Sequence, residues 1–279
     1  MRALIDADGI LFRCGFAVEH KKYKLYIKGE EHNGPFQIYE YKREIPKELQ
    51  TDPEVVIETS TEIEPLQNAL YLVKQEMENI ISATSAERHS TYIKGKGNFR
   101  EAIAVTRPYK GNRDVTHRPK YEQEIREYLK QYWGAEEVDG METDDKVAIE
   151  QWDDMVCQGI KSKVLNANPR TIICTMDKDL DQIPGWHYNF QKKIKYWVTE
   201  EEAQYNFYKQ LLMGDASDNI QGVAGLGEKG AEKILSFCKT PKEMYLLTRD
   251  RYLECYGGKG LEILTEMANL LWLLRYPGD

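Results

Sequence analysis

The chain has 279 residues, 41% of them hydrophobic and 30% charged, enough for one large domain or two modest ones with proper cores and unlike a disordered segment. Its longest strongly apolar stretch, Leu270 to Leu274, is far short of the roughly 20 residues of a membrane span, and the opening Met-Arg-Ala-Leu-Ile-Asp has no signal-peptide core. Cys14, Cys157, Cys174, Cys238 and Cys255 are scattered with no Cys-x-x-Cys pair, which excludes a zinc ribbon or disulfide framework and predicts reduced thiols in a cytoplasmic protein.

The formal charge of −8 argues at first against a polyanionic partner. Ten of the acids, however, fall in four short clusters: Asp6 and Asp8; Glu142, Asp144 and Asp145; Asp177, Asp179 and Asp181; Asp215 and Asp218. Without them the balance turns slightly positive, and the segment Lys94 to Lys120 carries eight Lys/Arg against two acids.

In chain order, residues 2–5 form a short apolar run that stops at Asp6-Ala-Asp8, which predicts a buried strand with acids past its carboxyl end. Residues 20–60 are rich in Lys, Glu and Tyr, with Asn33-Gly34-Pro35 as a turn, and predict a peripheral β-hairpin. Apolar positions 63, 66, 69, 70, 73, 77, 80 and 81 have a helical period. Val147, Ala148, Gln151, Trp152, Met155 and Val156 give a second helical face directly after Asp144-Asp145. Thr171 to Met176 is a β-branched run that ends at Asp177-Lys-Asp179, so it reads as another buried strand. Strands alternating with helices predict a mainly parallel α/β sheet, which collects ligands at the carboxyl ends of its strands. After residue 200 the pattern is helical, interrupted by Gly222-Val-Ala-Gly225-Leu-Gly227-Glu-Lys229-Gly230 and closed by a helix around Leu270 to Leu274.

Hard divalent cations such as Mg²⁺ or Mn²⁺ take oxygen ligands, and a pair of them needs several carboxylates to offset its charge. One Asp-x-Asp is ordinary turn chemistry, and Thr143-Asp144-Asp145 also reads as a helix cap. Four clusters, two after strands and one opening a helix, point instead to a two-metal site. The glycine run precedes a helix, so its amides suit a phosphate at the helix start, with Lys229 beside it. In Arg107-Pro-Tyr109-Lys110-Gly-Asn-Arg113 the cations suit phosphates and the Tyr suits a splayed base.

These residues, in this order, resemble the flap endonuclease and 5′→3′ exonuclease superfamily, particularly its small bacteriophage members. Leu4-Ile-Asp6-Ala-Asp8 is similar to the first metal-binding strand, and Phe99-Arg100 through Arg113 to the run into the family's helical arch. Glu142-Thr-Asp144-Asp145, Thr175-Met-Asp177-Lys-Asp179 and Gly214-Asp215-Ala-Ser-Asp218 resemble the later metal motifs, and residues 222–235 its helix-three-turn-helix. The resemblance implies a PIN-like nuclease domain over residues 1–200, with 20–60 as an insertion and an arch over about 94–130. A helix-three-turn-helix region and closing helix would fill 201–279. It implies a DNA 5′-nuclease of replication, repair or recombination, in a bacterial host, with an RNA/DNA hybrid as a further substrate. Asp6, Glu142, Asp144 and Asp177 would serve a first Mg²⁺ or Mn²⁺, Asp179, Asp215 and Asp218 a second, and Asp145 the shared surroundings. Lys110 and Arg113 would contact the scissile phosphate. Arg100, Arg107, Tyr109, Gly225, Gly227 and Lys229 would bind DNA, with K⁺ in the glycine loop.

One position departs from the family pattern. An Asp usually ends the strand before the arch, and here that position is Ile93, beside Lys94. Asp8 is the expected substitute, and Ile93→Asp is expected to tighten the metal dependence. Two other readings stay open at this level. Asp6-Ala-Asp8-Gly9 is similar to the loop of haloacid-dehalogenase-like phosphatases, with Asp6 as nucleophile, although Ile10 replaces the usual Thr. The missing acid could also mark a DNA-structure binder that no longer cuts.

Overall fold

The apolar run at the amino terminus forms strand β1 (Arg2–Asp6), with Ala3, Leu4 and Ile5 completely buried. In the computed structural model, residues 1–114, 117–157 and 170–279 are described. Positions 115 and 116 of the expected arch, and the Cys157 side chain, lie outside the described residues. The thiols of Cys14, Cys174, Cys238 and Cys255 are free.

After β1 come α1 (Asp8–Ala17), β2 (Glu19–Ile27), β3 (Gln37–Tyr39), α2 (Lys47–Thr51) and β4 (Val55–Ile63). There follow α3 (Leu66–Thr84), β5 (Arg88–Lys94), α4 (Phe99–Ile103), α5 (Glu122–Trp133), β6 (Glu136–Val138) and α6 (Thr143–Cys157). The last part holds β7 (Thr171–Thr175), β8 (Gly185–Asn189), β9 (Ile194–Val198), α7 (Glu200–Met213), α8 (Glu228–Leu235), α9 (Pro241–Tyr256) and α10 (Gly260–Leu271).

The chain divides into two compact units. The larger comprises residues 1–9, 77–117 and 129–279 and holds a six-stranded sheet in the order β6-β5-β1-β7-β8-β9. All its pairings are parallel except β8 with β9. This is the mainly parallel α/β class expected from the sequence. Leu4, Tyr92 and Ile173 of the sheet pack against Val147 and Ala148 of α6, so the helical face read from the sequence is the face that is buried, apart from Val156, which is exposed. Because β1 connects onward to β5 and β6 on one side while β7 lies on its other side, the strand order reverses beside β1. Crevices at such reversals lie at the carboxyl ends of the strands. The stretch 201–279 falls in this same unit.

In the same unit, α7 begins with a capping box, Thr199 Oγ1 accepting from Glu202 N (3.1 Å) and Glu202 Oε2 from Thr199 N (2.8 Å). It ends at Gly214, whose φ of +73° and close approach to Gly222 N (2.3 Å from an added Cβ) leave no room for a side chain. Leu212 of α7, Ala231 and Leu235 of α8, and Met244 of α9 form one apolar cluster, so α7 and α8 are held on either side of the glycine loop.

The smaller unit comprises residues 10–76 and 118–128. Residues 20–60 contribute more than the expected two-stranded hairpin: β2 pairs antiparallel with β3 over three residues and with β4 over nine. Among the described residues, the segment expected as a helical arch is helical only in α4 and from Glu122 onward. Pro108, Gly111 and Pro119 interrupt the run, and Lys110 takes φ +54°, which no right-handed helix accommodates.

Candidate active site

All the acids of the four clusters belong to the larger unit, at the carboxyl edge of its sheet. Asp6 ends β1, and its Oδ2 accepts from Thr175 Oγ1 at 3.0 Å. Thr175 ends β7 and in turn accepts from Asp177 N at 3.0 Å, so one hydroxyl ties the first acid cluster to the third. Asp177 Oδ1 accepts from Asp179 N (2.9 Å), a local turn that follows from an Asp just past a strand. Asp215 Oδ1 accepts from Ser217 N (2.7 Å) and Ser217 Oγ (2.6 Å), which holds the fourth cluster in a turn.

Glu142, Asp144, Asp177, Asp179, Asp181, Asp215 and Asp218 line one pocket of about 500 Å³, together with Tyr109, Lys110 and Arg113. The crowding shows in their proton affinities. Burial, with Asp8 and Asp177 nearby, pushes Asp6 up to about 7. Burial and the charges of Asp177 and Asp215 raise Asp179 to about 7. Asp144 is raised well above the usual carboxylate range by burial and by Asp6, Asp177 and Glu142, and Asp177 is raised too. Asp215 goes the other way, lowered by its hydrogen bonds to Ser217 and Asp218 despite burial.

Three cationic or phenolic side chains of segment 107–113 enter this pocket. Lys110 Nζ pairs with Glu142 Oε1 and lies 3.5 Å from Asp218 Oδ2. Arg113 pairs with Asp218 Oδ1. Tyr109 is buried, and its hydroxyl lies 2.9 Å from Glu142 Oε2 and 2.8 Å from Asp218 Oδ2. A phenol has one proton to donate, so it serves one of these oxygens at a time. Burial and these two carboxylates hold the phenol far above its usual pKa. The backbone is tied down as well: Lys110 N donates to Asp218 O (2.9 Å), Asn219 Nδ2 to Pro108 O (2.9 Å) and Asn112 Nδ2 to Ala216 O (2.7 Å). Tyr109, expected to stack on a splayed base, is a buried bridge between the second and fourth acid clusters.

Two expectations are corrected at Arg100 and Asp145. Arg100 is 1% exposed and Asp145 is fully buried. Their bidentate pair spans 2.5 and 2.8 Å, and Arg100 also donates to Leu270 O and Trp272 O. A guanidinium enclosed by these partners cannot reach a DNA phosphate. Asp145 further accepts from Glu142 N (3.1 Å) and Leu274 N (3.1 Å), so its oxygens close the start of α6 and face away from a cation. The helix-cap reading of this cluster holds for Asp145.

Asp8 spends its oxygens on Lys94 N (3.0 Å) and Thr143 Oγ1 (2.8 Å) and does not line the pocket. Ile93 is fully buried. In the β1–β5 register Asp6 lies opposite Tyr92, so their side chains share a face and Ile93 points to the other one. An acid at position 93 would enter the core rather than the acid cluster, which overturns the expectation for Ile93→Asp.

A second pocket of about 580 Å³ is lined by Arg107, Asn112, Asn219, Tyr256 and the loop that contains Gly225 and Gly227. Gly227 is the N-cap of α8 and offers no side-chain bond to the first amides of the helix, so these face outward beside the exposed Lys229. Gly225 has φ +76°. Sequence reasoning named Thr143 and Thr175 only as parts of the acid motifs and missed Gln182 and Gln210, which nothing in the sequence marks. Asp181, left without a role, accepts from Tyr196 Oη at 2.6 Å on the pocket wall. His187 is a core residue.

Among the described residues no three His, Cys, Asp or Glu side chains form a ready-made metal cage. Lys110 and Arg113 stand among the carboxylates instead. The donor set nevertheless fits hard cations: it is all carboxylate oxygen, mutually repelling, and Asp144 Oδ1 is buried with no partner.

No family model matches the chain. Among curated proteins it is 29% identical over 116 residues to a 5′-3′ exonuclease of Mycoplasmopsis pulmonis, covering 38% of this chain and 35% of the relative. It is 32% identical over 151 residues to DNA polymerase I of Bacillus subtilis, covering 50% of this chain and 16% of the relative. The chain thus spans well under two thirds of the length of either. Among solved structures, a variant of the T5 5′-exonuclease aligns over 97% of this chain and 84% of its own, at 14% identity and TM-score 0.49. The bacteriophage T5 flap endonuclease, in a complex with DNA and metal ions, aligns over 97% and 98%, at 15% identity and TM-score 0.47. The resemblance to 5′-nucleases read from the motifs is borne out by these relatives.

Proposed function

We propose that this chain is a divalent-metal-dependent 5′-nuclease that hydrolyses DNA phosphodiesters near a 5′ end, flap or nick, in replication, repair or recombination. The observation that carries the reading is the convergence of Asp6, Asp144, Asp177 and Asp179 at the carboxyl edge of the sheet, each raised by burial and by its neighbours. Carboxylates so crowded are stable as anions only around cations. Asp6, Glu142, Asp144 and Asp177 would hold one Mg²⁺ or Mn²⁺, and Asp179, Asp215 and Asp218 the other. Bound there, the two ions would stabilise the charge that builds on the phosphodiester as it is hydrolysed.

The chain's own residues bind and orient the substrate. Lys110 and Arg113, paired here with Glu142 and Asp218, would contact the scissile phosphate. Arg107, Lys229 and the amides around Gly225 and Gly227 hold the duplex backbone at the second pocket, where K⁺ would add to the positive field. Such contacts read backbone rather than sequence, and an RNA strand in a hybrid duplex presents the same phosphates. No helix of the described residues is long and apolar enough to cross a membrane.

The phosphatase alternative is disfavoured by the bonds already made at the first strand. Asp8, which would be its general acid, is bonded through both oxygens and does not line the pocket. Cleavage of a 5′-labelled flap and a nicked duplex, in Mg²⁺ or Mn²⁺ against EDTA, tests the proposal. Metal-dependent cutting is expected, reduced roughly 100-fold or more in Asp177→Ala and less severely in Lys110→Ala. A flap that binds but stays uncut in either metal would reassign the protein as a structure-specific binder.

A further inference from the structure

Two buried glutamines line the acid pocket and take no part in the reading above. Gln210, on α7, is 8% exposed, and Gln182, three residues beyond Asp179, is 2% exposed. A buried carboxamide is tolerated only when its donors and acceptor are satisfied. Gln210 Nε2 donates to Asp215 Oδ2 at 3.3 Å. Its amide also acts on Asp179, where it works against the rise that burial imposes on that carboxyl. On its other side, Gln210 Oε1 accepts from Gln182 Nε2 at 2.6 Å, and Gln182 Nε2 also donates to Leu271 O at 3.2 Å.

The orientation of the Gln210 amide follows from this network. A flipped amide would set its carbonyl against two carboxylates and its NH₂ against the NH₂ of Gln182. Asp179 lies in the loop after β7 and Asp215 in the turn after α7, and their like charges push them apart. The Gln210 amide, bonded to Asp215 and acting on Asp179, opposes that separation.

We infer that Gln210 is a positioning residue that holds Asp179 and Asp215 at the spacing of the second cation site, and that Gln182 fixes the direction of its amide. The inference rests on the two-metal reading. It is tested by Mn²⁺ binding to the whole chain without nucleic acid, followed by calorimetry and electron paramagnetic resonance. The proteins are the wild type, Gln210→Met, Gln182→Met and the double variant. The wild type is expected to bind two Mn²⁺. Gln210→Met should weaken one site by about 10–100-fold and leave the other within about twofold, the range found when a group behind a metal ligand is lost. Gln182→Met should weaken the same site by a smaller factor. The double variant should be no weaker than Gln210→Met alone, because Gln182 acts through Gln210.

Equal losses at both sites, no loss, or losses that multiply in the double variant would overturn the inference. Fewer than two Mn²⁺ on the wild type would overturn the two-metal reading and this inference with it. Two Mn²⁺ on the wild type with unchanged variants would overturn the inference alone. Should Gln210→Met fail to fold by circular dichroism, Gln182→Met, which keeps the amide at position 210, decides the matter by the same site-selective criterion.

Discussion

At the scale of single residues, identical chemistry serves opposite ends. Asp144 and Asp145 are neighbours, yet Asp144 faces the pocket with one oxygen unpartnered while Asp145 is consumed by Arg100 and two backbone amides. Adjacent helical positions point about 100° apart, so one acid of the pair turns toward the pocket and the other toward the core. Asp145→Asn strands the Arg100 guanidinium in the core without its counter-charge. It should lower unfolding free energy by about 3–5 kcal/mol in urea titrations; a loss under about 1 kcal/mol would contradict the buried pair. Ile93→Asp should likewise cost at least about 3 kcal/mol, since it buries an unpaired carboxylate on the face away from Asp6. Its Mg²⁺ titration should not tighten. These assignments were not legible in the sequence, because the motif gives residue types and spacing but not the face on which each side chain emerges.

At the scale of elements, the strands and helices that carry the acids were legible and the segment between them was not. β1, β7, α3 and α6 follow from apolar runs and helical periods that local burial enforces. Segment 104–113 has no such period. Its course is set by long-range bonds: Val105 N and Thr106 N donate to Glu266 (2.7 Å each), and residues 108–113 are bound to the turn 215–219. Contacts more than 100 residues apart leave no local pattern. Lys110 here acts as an internal counter-ion for Glu142 and Asp218. Lys110→Met should therefore bind Mn²⁺ several-fold more tightly than the wild type even as it cleaves more slowly. Weaker or unchanged Mn²⁺ binding would show that the ammonium does not compete with the metal.

At the scale of the whole molecule, the acid cluster makes stability depend on pH and metal together. Asp6 and Asp179 are raised to about 7, and Asp144 and Asp177 are raised as well. A carboxyl whose folded value lies above its unfolded value of about 4 contributes stability that is complete below about pH 4 and is lost as pH rises through about 7. Asp215, lowered, acts with the opposite sign below this window, and the lowered His187 and His89 oppose the loss within the window, two groups against four. In EDTA the melting temperature should fall between pH 5 and pH 8, and Mg²⁺ should raise it more at pH 8 than at pH 5. A melting curve in EDTA that is flat or rises over this interval would mean that the carboxylates are not crowded in the metal-free protein.

The sequence by itself determined which residues could do chemistry and in what order they come. Apolar strands ending in acids, an acid cluster opening a helix and a glycine run before a helix are local patterns, enforced by backbone geometry and burial within a few residues. Tertiary structure alone decided which of those residues share a pocket. It drew Thr175 between Asp6 and Asp177, turned Asp145 and Arg100 into the core, and tied up Asp8. It also buried Tyr109 among the acids and brought Gln182 and Gln210 to the wall beside Asp215. The physical reason is that hydrogen bonds and charge pairs act over a few ångströms of space, whatever the separation along the chain.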